Sequence, residues 1–203
     1  YNPEKEVLVT VGGSEAIDGC IRAVISDGDE VIIPQPSYVC YEPIAMLAGG
    51  VPVIINTKAE NDFKVTPEEL KNAITERTKL LILPYPCNPT GAIMEKEDIK
   101  ALYEVLKDTN IMVLSDEIYS ELTFGDKPHA SPAAVDGMWE RTVTINGFSK
   151  AFSMTGWRLG FACGPKEIMS QLLKIHQYAI MCAPTTSQYA AIEALRNCDE
   201  DVE

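Results

Sequence analysis

The residues of this chain best suited to chemistry lie in a few short runs. Lys150 sits between Phe148 and Phe152 among small residues. An apolar setting holds a lysine amine towards its neutral, nucleophilic form, which is what condensation with an aldehyde requires. Arg158 follows eight residues later. Asp116 closes an apolar run, residues 111–114, after Ser115, and a carboxylate placed that deep calls for a cationic partner. Gly12-Gly13-Ser14-Glu15 ends another apolar run. Glycine lets a backbone approach an anion closely, and the helix start behind it offers free N–H groups and partial positive charge. That turn matches neither G-x-G-x-x-G nor the P-loop pattern, which argues against a dinucleotide or ATP. Each run also has a plainer reading: a surface lysine, a helix-capping aspartate, a tight turn with a capping serine, tyrosines that only pack. The two histidines, His129 and His176, stand in unrelated contexts, so a Ser-His-Asp triad or an H-E-x-x-H zinc site has almost no material.

These runs need elements to position them. Residues 7–11, 31–33, 51–55, 80–83, 111–114, 142–145 and 159–163 read as short apolar strands, the first as a core strand and the second ended by Pro34 and Pro36. Ser14 is expected to cap a helix whose apolar stripe is Ala16, Ile17, Cys20, Ile21 and Val24. Residues 38–47 can form a helix interrupted near its start by Pro43. Thr66-Pro67-Glu68-Glu69 is a capping box with proline at the first helical position. Residues 95–107 place Ile99, Leu102 and Leu106 on one face, and further helices start at Lys166 and near Thr185. Fully apolar strands alternating with amphipathic helices predict one α/β domain with a largely parallel sheet covered on both faces. In such a sheet ligands bind beyond the carboxyl ends of the strands. The runs above, together with Pro36-Ser37-Tyr38 and Pro84-Tyr85-Pro86-Cys87-Asn88-Pro89-Thr90-Gly91, should therefore meet on one rim.

Taken together, an amine for an aldehyde, an acid for a pyridinium nitrogen, and an arginine with Gly-Ser amides for a phosphate answer the needs of pyridoxal 5'-phosphate. Asn88-Pro89-Thr90-Gly91, Ser115-Asp116-Glu117-Ile118-Tyr119 and the stretch from Ser149-Lys150 through Thr155-Gly156-Trp157-Arg158 to Leu159-Gly160 resemble the class I/II aminotransferases, fold type I of the pyridoxal-phosphate enzymes. The resemblance implies a three-layer α/β/α large domain with a mostly parallel mixed sheet, occupying residues 1–203. It implies that Lys150 binds the cofactor aldehyde and then shuttles the proton. Asp116 would pair with the ring nitrogen, Tyr119 and Asn88 would bind the phenolic oxygen, and Tyr38 would stack on the ring. Gly13, Ser14 and Arg158 would hold the phosphate, and the Asn88-Pro89 bond would be cis. Many relatives carry a phosphate-binding hydroxyl three residues before the lysine; here that position is Gly147, and Ser149 is the substitute expected. Ser14 stands where some dicarboxylate-using relatives have lysine, which argues against an aspartate assignment.

Composition narrows the partners. Hydrophobic residues make up 46% and charged residues 23% of 203 residues, an ordinary globular mixture. No apolar run approaches a membrane span. Thirty acidic against seventeen basic residues give a net charge of −13, which repels phosphate backbones and argues against nucleic acid. Six cysteines without a C-x-x-C pair suit free thiols in the cytoplasm. A start at Tyr1 without Met, with a core strand already at Val7, suggests a fragment or else a processed or tag-trimmed complete protein, and the resemblance implies a parent about twice as long that works as a homodimer on amino-acid and 2-oxo-acid substrates. The fragment alone is expected to be inactive, because the substrate-carboxylate arginine and a partner's phosphate-binding tyrosine belong to segments beyond it. A C–S β-lyase or other fold-type-I enzyme, and the ligand-sensing domain of a transcription regulator, are the competing readings.

Overall fold

A computed structural model describes residues 1–124 and 128–202. Seven strands form one sheet: β1 (Val7–Thr10), β2 (Glu30–Gln35), β3 (Val51–Asn56), β4 (Thr78–Leu83), β5 (Met112–Asp116), β6 (Thr142–Gly147) and β7 (Gly160–Cys163). Their order is β1-β7-β6-β5-β4-β2-β3. β7 is antiparallel to both of its neighbours and the remaining pairs are parallel, so one strand runs against the other six. Helices α1 (Gly13–Val24), α2 (Tyr41–Leu47), α3 (Pro67–Ala73), α4 (Lys96–Leu106), α5 (Lys166–Ala179) and α6 (Thr185–Asn197) complete the fold.

Strand alternation explains the three layers. Val31 and Ile33, Leu80 and Ile82, and Leu114 face a cluster with Ile17 and Ile21 of α1, Ala45 of α2, and Met169 and Leu172 of α5. Ile32, Leu81, Leu83 and Val113, one residue out of phase, face Leu70 of α3 and Ile99, Leu102 and Leu106 of α4. Successive side chains point to opposite faces, and both faces are apolar because helices cover both. A third cluster joins Phe148, Met154 and Leu159 to Ala191 and Ala194 of α6.

Four local expectations are corrected. β1 is an edge strand with Val9 exposed rather than a core strand, since only β7 pairs with it. β2 continues through Pro34 to Gln35. It can do so because its pairing with β4 covers only Glu30–Ile32, so no ladder partner on that side needs the missing proline N–H. Residues 38–40 stay outside α2, which starts at Tyr41, and Pro43 falls in its first turn, where N–H groups lack intrahelical partners anyway. Ser14 is not a cap. Gly12, at φ 79°, is the cap residue without any side-chain cap bond, and α1 begins at Gly13. The glycine pair starts the helix one residue early and leaves the Ser14 side chain for another use. The Thr66/Glu69 capping box is present as expected, as is the cis Asn88-Pro89 bond.

Candidate active site

The carboxyl ends of β1, β2, β4, β5 and β6 open on one rim. β7 runs the other way, so the residues before it, Arg158 and Leu159, reach the same rim. A single cleft there is lined by Gly13, Ser14, Tyr38, Asn88, Asp116, Tyr119, Ser149, Lys150 and Arg158. All nine residues selected from sequence thus meet in one place, from segments up to 145 positions apart.

At one end lies the turn into α1. The first-turn N–H groups of this twelve-residue helix carry no side-chain cap. Arg158 takes the left-handed conformation, φ 52°, and its Nη1 donates to the Thr155 carbonyl at 2.9 Å. Gly12 has φ 79°, which favours glycine, and a Cβ there would lie 2.6 Å from Arg158 Nη2 and push the guanidinium aside. A Cβ on Gly160 would lie 2.7 Å from the Gly12 carbonyl carbon and the Gly13 nitrogen, which shows how tightly β7 seats the turn. A Cβ on Gly147 would sit 2.9 Å from Gly160 Cα and 3.0 Å from the Leu159 oxygen. β6 and β7 pass too close for any hydroxyl-bearing side chain at that position, while Ser149 and Thr155 both face the cleft.

At the other end Asp116, only 6% exposed, terminates β5. Its Oδ2 accepts from the Tyr41 hydroxyl at 2.7 Å and its Oδ1 from the Ile118 N–H at 3.2 Å. Among the described residues it has no ion-pair partner. Burial pushes its carboxyl above the usual range. The two hydrogen bonds pull it back, and neighbouring Glu117 pushes it further up. The cation that the sequence argument required is thus not supplied by the described residues, and the carboxylate faces the cleft. Tyr41, 2% exposed, is itself held far above its ordinary pKa by burial and by Asp116. Sequence reading missed it and Thr155. The available signal was the placement of Tyr41 three residues after Tyr38; their rings meet edge to face at 5.9 Å.

Lys150 departs from expectation in its surroundings. It is exposed, with Nζ 5.5 Å from the Tyr119 ring centroid. Phe148 and Phe152 pack on each other at 5.5 Å and join the α6 cluster, so they form a floor under the loop and leave the amine open to the cleft.

The donor set fits pyridoxal phosphate: an uncapped helix start and a guanidinium for the phosphate, an amine for the aldehyde, and, for the ring nitrogen, a buried carboxylate with no cation among the described residues. Comparison with known proteins gives the family. The family described as "Aminotransferase class I and II" matches residues 1–203. YugH of Bacillus subtilis, named as an aminotransferase, is 51% identical over 203 residues, covering all of this chain and 52% of that protein. The aspartate aminotransferase of Pyrococcus abyssi is 45% identical over 196 residues, 97% of this chain and 50% of the relative. The crystal structure of the aromatic aminotransferase from Pyrococcus horikoshii superimposes with a TM-score of 0.94 at 42% identity, covering 99% of this chain and 53% of that one. The chain spans about half the length of the curated relatives it matches.

Proposed function

The chain belongs to the class I and II aminotransferase family, and from that premise we propose that it is the cofactor-binding large domain of an enzyme that moves an amino group between an L-amino acid and a 2-oxo acid. The observation that carries the reading is Asp116. A buried carboxylate with two hydrogen bonds and no cation among the described residues lines the same cleft as an exposed lysine and Arg158, a donor set suited to a phosphorylated pyridine aldehyde.

When bound, pyridoxal phosphate supplies an aldehyde that can exchange for an amine and a protonated ring that accepts electron density. The roles of the chain's own residues follow. Gly13 and Ser14 at the start of α1, with Ser149 and Arg158, hold the phosphate. Asp116 keeps the proton on the ring nitrogen, and the Tyr41 hydroxyl keeps that carboxylate aimed. Tyr119 and Asn88 would bind the phenolic oxygen, and Tyr38 would stack on the ring. Lys150 would hold the cofactor by its aldehyde, and its amine is the group of this chain placed to take a proton from the substrate Cα as general base. Its exposure in the cleft leaves that amine accessible to cofactor and substrate.

The same reading makes the full-length parent a cytoplasmic homodimer. No described helix is long and apolar enough to cross a membrane. The test is a transamination assay of the full-length protein with a panel of amino donors, including aspartate and aromatic amino acids, and 2-oxoglutarate as acceptor. Stoichiometric formation of glutamate and the donor's 2-oxo acid supports the proposal. Release of ammonia or a thiol without glutamate would assign a lyase instead.

A further inference from the structure

Each histidine bonds to a glutamate. His129 Nε2 lies 2.8 Å from Glu117 Oε2, and His176 Nδ1 lies 2.6 Å from Glu15 Oε1. The second pair bears on the phosphate end of the cleft, because Glu15 is the third residue of α1 and directly follows Gly13 and Ser14. A glutamate at that place in a helix ordinarily reaches back to the N–H of the cap residue. Here the cap residue is Gly12, and its N–H already donates to the Thr10 carbonyl at 2.9 Å. Glu15 reaches one residue further, where its Oε2 accepts from the Val11 N–H. Val11 needs that acceptor. β1 and its ladder to β7 end at Thr10, and a partly buried main-chain N–H beyond the ladder must find its partner elsewhere.

The same turn is closed from its other side, where buried Thr10 donates its hydroxyl to the Gly12 carbonyl at 3.0 Å. Residues 10–12 are thus held by bonds within the turn and by Glu15. No side-chain cap takes up the first-turn N–H groups of α1, and Gly13 and Ser14 line the cleft while Glu15 does not. A glutamate is a poor brace by itself, because its rotatable side chain loses much freedom when it is fixed. His176 removes that freedom. It stands in the last turn of α5 and is only 5% exposed. α5 packs on α1, with Met169 and Leu172 in the same apolar cluster as Ile17 and Ile21. The bond forms whichever partner carries the proton, since an imidazole N–H can donate to the carboxyl group or a carboxyl O–H to the ring nitrogen.

We propose that Glu15 and His176 are positioning residues for the phosphate site: the carboxyl group, locked by the ring, fixes the main chain at Val11 and so aims the N–H groups of Gly13 and Ser14 at the cofactor phosphate. This rests on the cofactor reading above and requires no charge on either partner.

The test measures dissociation constants of the full-length protein for pyridoxal 5'-phosphate and for pyridoxal, which lacks the phosphate, by fluorescence titration. Wild type should prefer the phosphorylated form. Glu15→Ala removes both bonds and should weaken pyridoxal 5'-phosphate about tenfold, the worth of one ordinary hydrogen bond, while pyridoxal binding is unchanged. His176→Phe keeps an aromatic ring in place, loses the bond to Glu15, and should weaken the phosphorylated form about threefold. Glu15→Gln retains an oxygen for the Val11 N–H and an NH₂ for the ring nitrogen, so it should stay within about twofold of wild type. Unchanged affinity of Glu15→Ala for pyridoxal 5'-phosphate would overturn the inference. So would an equal loss for both ligands, which marks a pair serving only the fold, or a loss of about tenfold in Glu15→Gln, which makes charge the cause. If Glu15→Ala does not fold, His176→Phe and Glu15→Gln decide among the same outcomes. Wild type binding the two ligands equally would overturn the functional reading together with the inference.

Discussion

Asp116→Asn should make the cofactor-free protein more stable at neutral pH and the cofactor-loaded protein worse. The carboxylate is buried and has two hydrogen bonds, from Tyr41 and Ile118, and no counter-charge among the described residues. Burial holds its pKa above the unfolded value, so in the window between the two the folded chain binds more protons than the unfolded one. Stability therefore falls as pH rises through that window, and the penalty is fully present above it. The asparagine keeps the shape: Oδ1 can accept from the Ile118 N–H, and Nδ2 can donate to the Tyr41 oxygen. Leaving a buried charge without its partner typically costs ~3–5 kcal/mol, and the two bonds retained here reduce the relief to about 1–2 kcal/mol. In a domain of this size 1 kcal/mol moves Tm by about 2–4 °C, so the cofactor-free variant should melt about 2–8 °C above wild type at pH 7. The gain should shrink as pH falls towards the unfolded carboxyl value of about 3.9. With saturating pyridoxal phosphate the order should reverse, since wild type then supplies the carboxylate that a protonated ring requires. Thermal scans of the full-length protein, with and without cofactor, from pH 4.5 to 7.5 read all three effects. A cofactor-free variant that melts below wild type at every pH would refute the argument, because the carboxylate would then be serving the fold rather than a ligand.

Other substitutions probe the same frame. Tyr41→Phe removes the 2.7 Å donor to Asp116 and should destabilise the cofactor-free protein by about 1.5–3 kcal/mol at pH 7, with a smaller loss once Asp116 is protonated; urea unfolding at two pH values measures both. Gly160→Ala places a Cβ 2.7 Å from the backbone of Gly12 and Gly13, which cannot yield as a side chain can. It should cost about 1–3 kcal/mol of stability and weaken cofactor binding, as fluorescence titration would record. Arg158→Lys keeps the charge and loses the planar fork beside Gly12, so cofactor affinity should fall about tenfold while the fold persists by circular dichroism.

The layers were legible because the apolar strands and the helical stripes at Ile17/Ile21 and Ile99/Leu102/Leu106 each repeat with the period of their own element. β7 shows the limit. Its apolar run carries no mark of direction, yet its reversal is what returns Arg158 to the rim. The capping box at Thr66 was readable since its partners are three residues apart, whereas the cap at Gly12 depends on a backbone torsion that the serine beside it obscured. The setting of Lys150 was misread for a related reason: in a loop, sequence neighbours do not share a face, and Phe148 and Phe152 turn into the α6 cluster. Tyr41, His129 and His176 escaped because their partners, Asp116, Glu117 and Glu15, lie 75, 12 and 161 residues away. Pairings across that separation follow from topology, which local patterns do not encode.

The central claim is that Lys150 is the residue that binds pyridoxal phosphate. The direct measurement is borohydride reduction of the full-length protein after incubation with the cofactor, followed by proteolysis and mass spectrometry of the labelled peptide. The account predicts one phosphopyridoxyl group per chain, on the peptide containing Lys150, and its loss in Lys150→Ala. A label on any other lysine, or one that persists at wild-type stoichiometry in the alanine variant, would contradict it.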